Sequence, residues 1–222
     1  MLSGSHMSAT VQQKRVLVWD PAIRIGHWAL VVAFTIAYLT GEGEGDATST
    51  VHAWVGYTIG AIVALRVLWG FVGPTHARFT SFLYRPSTAL RYLTDLVLGR
   101  APRYIGHSPA GGVMVLALLV CLAATVITGL VAYGDQGKGP LAYDAPALVT
   151  QAYADPDQDE RRSHPDRRPK GAESAIGELH GTLANLTLAL VVLHVLGIVL
   201  ASIVHRENLV AAMIDGKKRD AG

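Results

Sequence analysis

Four long apolar stretches, nearly free of charge, constrain this 222-residue chain more than any other feature of it. Pro21 to Thr40 is interrupted only by Arg24, and Val51 to Gly73 only by Arg66. Ala110 to Tyr133 and Leu179 to Val204 contain no Asp, Glu, Lys or Arg at all. A helix crosses the hydrocarbon core of a bilayer with about 20 apolar residues. Four such runs in one short chain predict an all-α integral membrane protein, a four-helix bundle. Composition agrees, because half the residues are hydrophobic and 16% are charged, against about 25% charged in an average soluble domain. A net charge of +2 with scattered Lys and Arg excludes nucleic acid as a partner. The single cysteine, Cys121, excludes a disulfide framework, a Cys-rich zinc or iron–sulfur site, and haem attached through C-x-x-C-H.

Orientation follows from where Lys and Arg fall in the connections. The segment before the first span carries Lys14 and Arg15, whereas the loop from Gly41 to Thr50 holds Glu42, Glu44 and Asp46 and no basic residue. The connection from Pro74 to Pro109 has Arg78, Arg85, Arg91, Arg100 and Arg103 against Asp95 alone, and the C-terminal segment has Arg206, Lys217, Lys218 and Arg219. Both termini and the 74–109 connection are therefore expected in the cytoplasm. Residues 134–175 form a long periplasmic loop; it holds six basic and eight acidic residues, and long loops translocate with little regard to charge. Its stretch from Asp155 to Lys170 is nearly all charged or proline, is expected to be disordered without a partner, and by its length points to docking.

The expected layout is a vector and protease-site remnant at 1–7, a cytoplasmic tail at 8–20 with no cleavable signal, a transmembrane domain at 21–205, and a second cytoplasmic tail at 206–222. Its spans run over about 21–40, 51–73, 110–133 and 179–204. Between the second and third spans, Pro86 to Gly99 reads as a short amphipathic helix on the inner leaflet, with apolar residues at Leu90, Leu93, Leu96 and Val97 and a glycine stop.

Ionisable residues inside a span are costly and are functional candidates by default. The spans hold His27, His52, His180 and His194. His180 and His194 are fourteen residues apart, about 40° short of four turns and roughly 21 Å of rise, so they share a face at two depths. His52 opens its span from the outside, level with His180. From His27 to the outer end of its own span is a rise of roughly 20 Å, which brings it close to the depth of His194. Two pairs result, His52 with His180 outside and His27 with His194 inside. Such pairs suit bis-imidazole ligation of two b haems better than zinc, since nothing in the apolar spans supplies a third or fourth Cys, Asp or Glu ligand at either depth.

Other residues admit two readings each. Gly56 and Gly60, on the His52 face, and Gly197, after His194, either let a flat macrocycle approach the backbone or make small-residue helix contacts. Arg24 pairs with a haem propionate or snorkels to the interface. For Arg66, deeper in its span, the propionate is favoured. His205 lies too deep to meet His27 and reads as interfacial. Trp28, Trp54, Tyr57 and Trp69 line a quinone pocket or anchor span ends, and no quinone residue is assigned.

Four motifs in order along nearly the whole chain after Val16 carry a resemblance. They are Trp19-Asp-Pro-Ala-Ile-Arg-Ile-Gly-His27-Trp28; His52-Ala-Trp-Val-Gly56 with Arg66-Val-Leu-Trp-Gly70; Gly106-His-Ser-Pro-Ala-Gly-Gly112 with Thr128-Gly-Leu130; and the His180, His194 pair. Together they resemble the bacterial cytochrome b561 and Ni/Fe-hydrogenase b-type cytochrome family. The resemblance implies a dihaem cytochrome b of the bacterial inner membrane with His27, His52, His180 and His194 as axial ligands. It also implies electron transfer between a quinone pool and a partner at the membrane face, either a periplasmic oxidoreductase subunit such as a hydrogenase or a c-type cytochrome. The long charged outer loop departs from the family pattern and leaves the partner open; Asp155, Asp157, Asp159 and Glu160 offer a docking run for it. A homodimer is also admissible.

Two rival readings differ in class. Some family members are understood to oxidise superoxide at the outer face and reduce ubiquinone without a protein partner, which calls for a cationic patch such as Lys138, Arg161, Arg162, Arg167, Arg168 and Lys170 provide. The other is a haem-free scaffold or transporter subunit, which leaves the paired depths unexplained.

Overall fold

The computed structural model describes residues 15–41, 43, 46–142 and 170–219. The apolar runs become four long helices: α1 (Pro21–Thr40), α2 (Asp46–Val72), α4 (Pro109–Asp135) and α5 (Lys170–His205). The shorter α3 (Pro86–Val97) lies between α2 and α4, and α6 (Leu209–Asp215) follows α5. A 3-10 turn at Phe79–Ser81 and two three-residue strands, β1 (Arg15–Leu17) and β2 (Lys217–Arg219), complete the described elements. Helix starts are written in the sequence. The Asp20 carboxylate accepts from the amides of Ala22 and Ile23 just ahead of α1, and Ser108 Oγ accepts from Gly111 N at the start of α4. In each case proline occupies the first helical position, where its missing N–H costs nothing.

All four long helices are long and apolar enough to cross a membrane. Their outer faces expose large aliphatic side chains, among them Leu39, Leu65, Val120, Ile127, Leu193 and Ile203. A soluble protein does not tolerate that much contiguous apolar surface, and in a bilayer the acyl chains cover it. The helices α2 and α5 extend beyond the apolar runs, reaching back to Asp46 and Lys170.

The chain divides into two compact units. The first, called here the histidine unit, comprises Gly26–Val67 and Met114–His194 and contains segments of all four long helices. Within it α1 and α5 are tied by Tyr38 Oη donating to Asn185 Oδ1 at 2.9 Å. Between α4 and α5, the fully buried Thr187 sets its hydroxyl 3.4 Å from that of Thr125.

The second, the terminal unit, comprises the residues up to Ile25, Leu68–Val113 and Val195 onward. Here β1 pairs antiparallel with β2, Arg15 opposite Arg219, Val16 opposite Lys218 and Leu17 opposite Lys217. This ribbon puts the segment before α1 and the segment after α5 on one side of the membrane. A polar cluster locks it: Arg103 binds Glu207 with Nε to Oε2 at 3.1 Å and Nη2 to Oε1 at 3.0 Å, and the Arg219 amide donates to the same carboxylate at 3.0 Å. The helix α3 buries Ala89, Tyr92 and Leu96 and leaves Leu90, Leu93 and Val97 exposed, so its two apolar faces point to protein and to lipid. His205 meets Tyr92 Oη through Nε2 at 3.2 Å within this unit.

Several sequence expectations concern residues outside those described: the remnant at 1–7, the tail up to 14, Glu42 and Glu44, and the loop 143–169 with Asp155, Asp157, Asp159, Glu160, Arg161, Arg162, Arg167 and Arg168.

Candidate functional site: two facing histidine pairs

The four histidines come from three helices of the histidine unit: His27 from α1, His52 from α2, His180 and His194 from α5. They meet as two pairs. The His52 and His180 ring centres are 6.0 Å apart with planes at 85°, and those of His27 and His194 are 6.4 Å apart at 55°. Two imidazoles that bind one first-row ion end-on through Nε2, at about 2.0–2.1 Å each, hold their ring centres roughly 6 Å apart. Both separations match an iron atom between the rings.

The hydrogen bonds of one pair select the ligating nitrogen. His52 Nδ1 lies 3.0 Å from the Ala37 carbonyl, and His180 Nδ1 lies 2.9 Å from the Thr125 carbonyl. A carbonyl only accepts, so each Nδ1 carries the proton and each Nε2 keeps its lone pair for a metal. In the other pair, His27 Nδ1 is buried with no hydrogen-bond partner among the described residues, and the ring stands edge-on to Trp28 at 5.4 Å. Among the described residues, no group of three or more His, Cys, Asp and Glu side chains capable of holding a metal ion occurs. Two imidazole donors without a third ligand would suit a metal whose other positions are filled by its own macrocycle.

The glycines flanking these histidines differ. A side chain at Gly56 would meet nothing within 4 Å, and the same holds at Gly197. At Gly60 a Cβ would stand 3.0 Å from Val126 Cγ1, so this position is a helix contact between α2 and α4. Arg24 and Arg66 are half-buried, and Arg24 Nε is buried without a hydrogen-bond partner among the described residues. An uncompensated guanidinium nitrogen of that kind needs an acceptor, as a propionate would provide. Of the aromatic residues, Trp54 is largely exposed and packs on Tyr57, while Trp69 Nε1 donates to Asp20 Oδ2 at 3.4 Å in the terminal unit. Lys138 is exposed.

Counting residues along helices finds the histidines but not what supports them. Ala37, Thr40, Thr125, Thr128 and Gly129 touch or shape the ring environment and drew no attention as ligand supports. The signal available was that the chain's two Thr-Gly dipeptides, at 40–41 and 128–129, both fall on apolar helices that face a histidine.

Opposed imidazole pairs in an apolar helical unit define the class of membrane b-type cytochromes. The model of the prokaryotic cytochrome b561 family matches residues 18–216, and the chain belongs to that family of electron-carrying membrane cytochromes. It is similar to a probable Ni/Fe-hydrogenase B-type cytochrome subunit of Rhizobium leguminosarum bv. viciae, 24% identical over 98% of this chain and 95% of that one. The probable Ni/Fe-hydrogenase B-type cytochrome subunit of Rhodobacter capsulatus is also 24% identical, over 91% of this chain and 81% of that one. No solved structure matches the chain. With four apolar spans and this family, the chain is a multi-pass protein of a bacterial inner membrane.

Proposed function

We propose that the chain holds two b haems, one between His52 and His180 and one between His27 and His194, and passes electrons across the membrane between quinone and a redox protein on the periplasmic side. The observation that carries this reading is the pair of ring separations, 6.0 and 6.4 Å, each with room for one iron. The bound haem supplies reversible one-electron chemistry. The protein's own part is to orient the rings, exclude water with apolar helix faces, and balance propionate charge with Arg24 and Arg66. Quinone would meet the protein from the lipid phase, and the lipid-exposed aromatics give it several surfaces; none is assigned.

The basic residues of 74–109 and of the C-terminal segment support cytoplasmic termini. For the periplasmic partner, the named relatives favour a subunit of an oxidoreductase such as a hydrogenase, with a c-type cytochrome as the other form, and the acidic run 155–160 would make docking salt-sensitive. The reading is tested in liposomes loaded with ferricyanide and given a membrane-impermeant reductant outside. Internal ferricyanide should be reduced only when the protein is present and should stop being reduced in His194→Ala. Equal rates with and without the protein would refute transmembrane transfer.

A further inference from the structure

The histidines of one pair, and not those of the other, are seated on a repeated backbone device. His52 Nδ1 bonds the Ala37 carbonyl at 3.0 Å, with Thr40 Oγ1 at 3.4 Å; His180 Nδ1 bonds the Thr125 carbonyl at 2.9 Å, with Thr128 Oγ1 at 3.4 Å. In both places the accepting carbonyl lies three residues before a threonine, and glycine follows it: Ala37 with Thr40-Gly41, and Thr125 with Thr128-Gly129. Each threonine also donates to that same carbonyl, at 3.2 and 3.0 Å.

The two copies solve one steric problem in two ways. The amide of Gly41 turns to the Tyr38 carbonyl at 3.4 Å, so the end of α1 leaves the Ala37 carbonyl to side-chain donors. A Cβ at Gly41 would sit 3.6 Å from His52 Cε1, an ordinary contact. Thr125 lies well inside α4, where neighbouring side chains normally shield a carbonyl. There a Cβ at position 129 would fall 2.9 Å from His180 Cε1 and 3.1 Å from its Nδ1, so glycine alone lets the ring reach the backbone.

We propose that the two Thr-Gly segments are cradles fixing the proton and ring plane of His52 and His180, with Gly129 the positioning residue on which the second cradle depends. This rests on the reading of the four histidines as axial ligands. An imidazole whose outer N–H is held by a carbonyl is a more basic ligand, and a more basic ligand favours the oxidised metal. Among the described residues His27 Nδ1 is buried without such a carbonyl partner, so the two pairs are supported differently.

The test is a spectroscopically monitored redox titration of the detergent-purified holoprotein, its Gly129→Ala variant and its Gly177→Ala variant. Gly129→Ala pushes the ring off the Thr125 carbonyl. One of the two midpoints should rise, and the largest g value of one low-spin ferric signal should change because it follows the angle between axial ring planes. The other haem should be unaffected, and Gly177→Ala, where an added Cβ meets nothing within 4 Å, should titrate like the parent. A Gly129→Ala protein with unaltered midpoints, or equal shifts in both variants, overturns the proposal. If Gly129→Ala fails to accumulate, the reduced parent protein labelled with 15N-histidine decides: the Nδ1 protons of His52 and His180 should resist deuterium exchange, and rapid exchange of both overturns it. A parent protein without haem would instead overturn the ligand assignment beneath it.

Discussion

At the residue scale, a buried ionisable side chain is informative because it must be compensated, and the compensation differs from one residue to the next. Glu207 has a side chain only 8% exposed. Burial by itself would raise its pKa, but the hydrogen bonds from Arg103 and from the Arg219 amide outweigh burial and hold the carboxyl below its ordinary range. A carboxyl depressed in the fold contributes stability above the unfolded carboxylate pKa of about 4.3, and that contribution is lost as pH falls through the folded value. Glu207→Gln should therefore lower stability near neutral pH by about 1–3 kcal/mol and weaken the fall in melting temperature on acidification; unchanged acid sensitivity would show that this carboxylate is not the group involved. The facing of His27 to His194 and of His52 to His180 was legible from the sequence, since depth along a helix is a matter of counting. Their hydrogen bonds were not, because the acceptors are backbone carbonyls of other helices and a carbonyl leaves no mark in a residue list.

At the element scale, the helix ends show how local chemistry places the terminal unit. The helix α5 ends with Arg206 at φ 48°, while the Glu207 amide bonds the Ser202 carbonyl and the Arg206 amide that of Ile203. This is the closing pattern usually given to glycine. The helix α6 ends at Gly216, φ 79°, whose carbonyl receives the amides of Val18 and Trp19. A Cβ at Gly216 would lie 2.7 Å from both the Trp19 carbonyl and Arg24 Nη1. Gly216→Ala should cost about 1–2 kcal/mol from the left-handed backbone alone, with a further loss from the contacts, and is read as a lower melting temperature in detergent. An unchanged melting temperature would mean that the ribbon does not contribute to the fold's stability. The four long helices and the amphipathic α3 were legible in hydrophobic periodicity and length. The ribbon was not, since Arg15–Leu17 and Lys217–Arg219 are three residues each, and nothing local pairs the two ends of a chain.

At the scale of the whole molecule, the pairing of β1 with β2 requires an even number of crossings between them, as four spans provide. Which side the paired ends occupy rests on the basic connections. A C-terminal alkaline phosphatase fusion should be inactive and a C-terminal fluorescent-protein fusion bright in intact cells; the reverse would invert the orientation and place the His52/His180 pair toward the cytoplasm. Deleting 155–170 should slow electron exchange with a cationic c-type cytochrome at low salt and leave haem content unchanged, as measured by stopped-flow mixing. Unaltered rates would remove the docking role from this loop.

The most direct measurement is the number of haems per chain, taken from a pyridine haemochrome assay on detergent-purified protein together with its dithionite-reduced minus oxidised spectrum. The proposed two-pair ligation predicts about two b haems per chain with low-spin spectra, falling to about one in His52→Ala and in His27→Ala. A single haem in the parent protein, or one that survives loss of both His27 and His52, would contradict the paired-ligand arrangement.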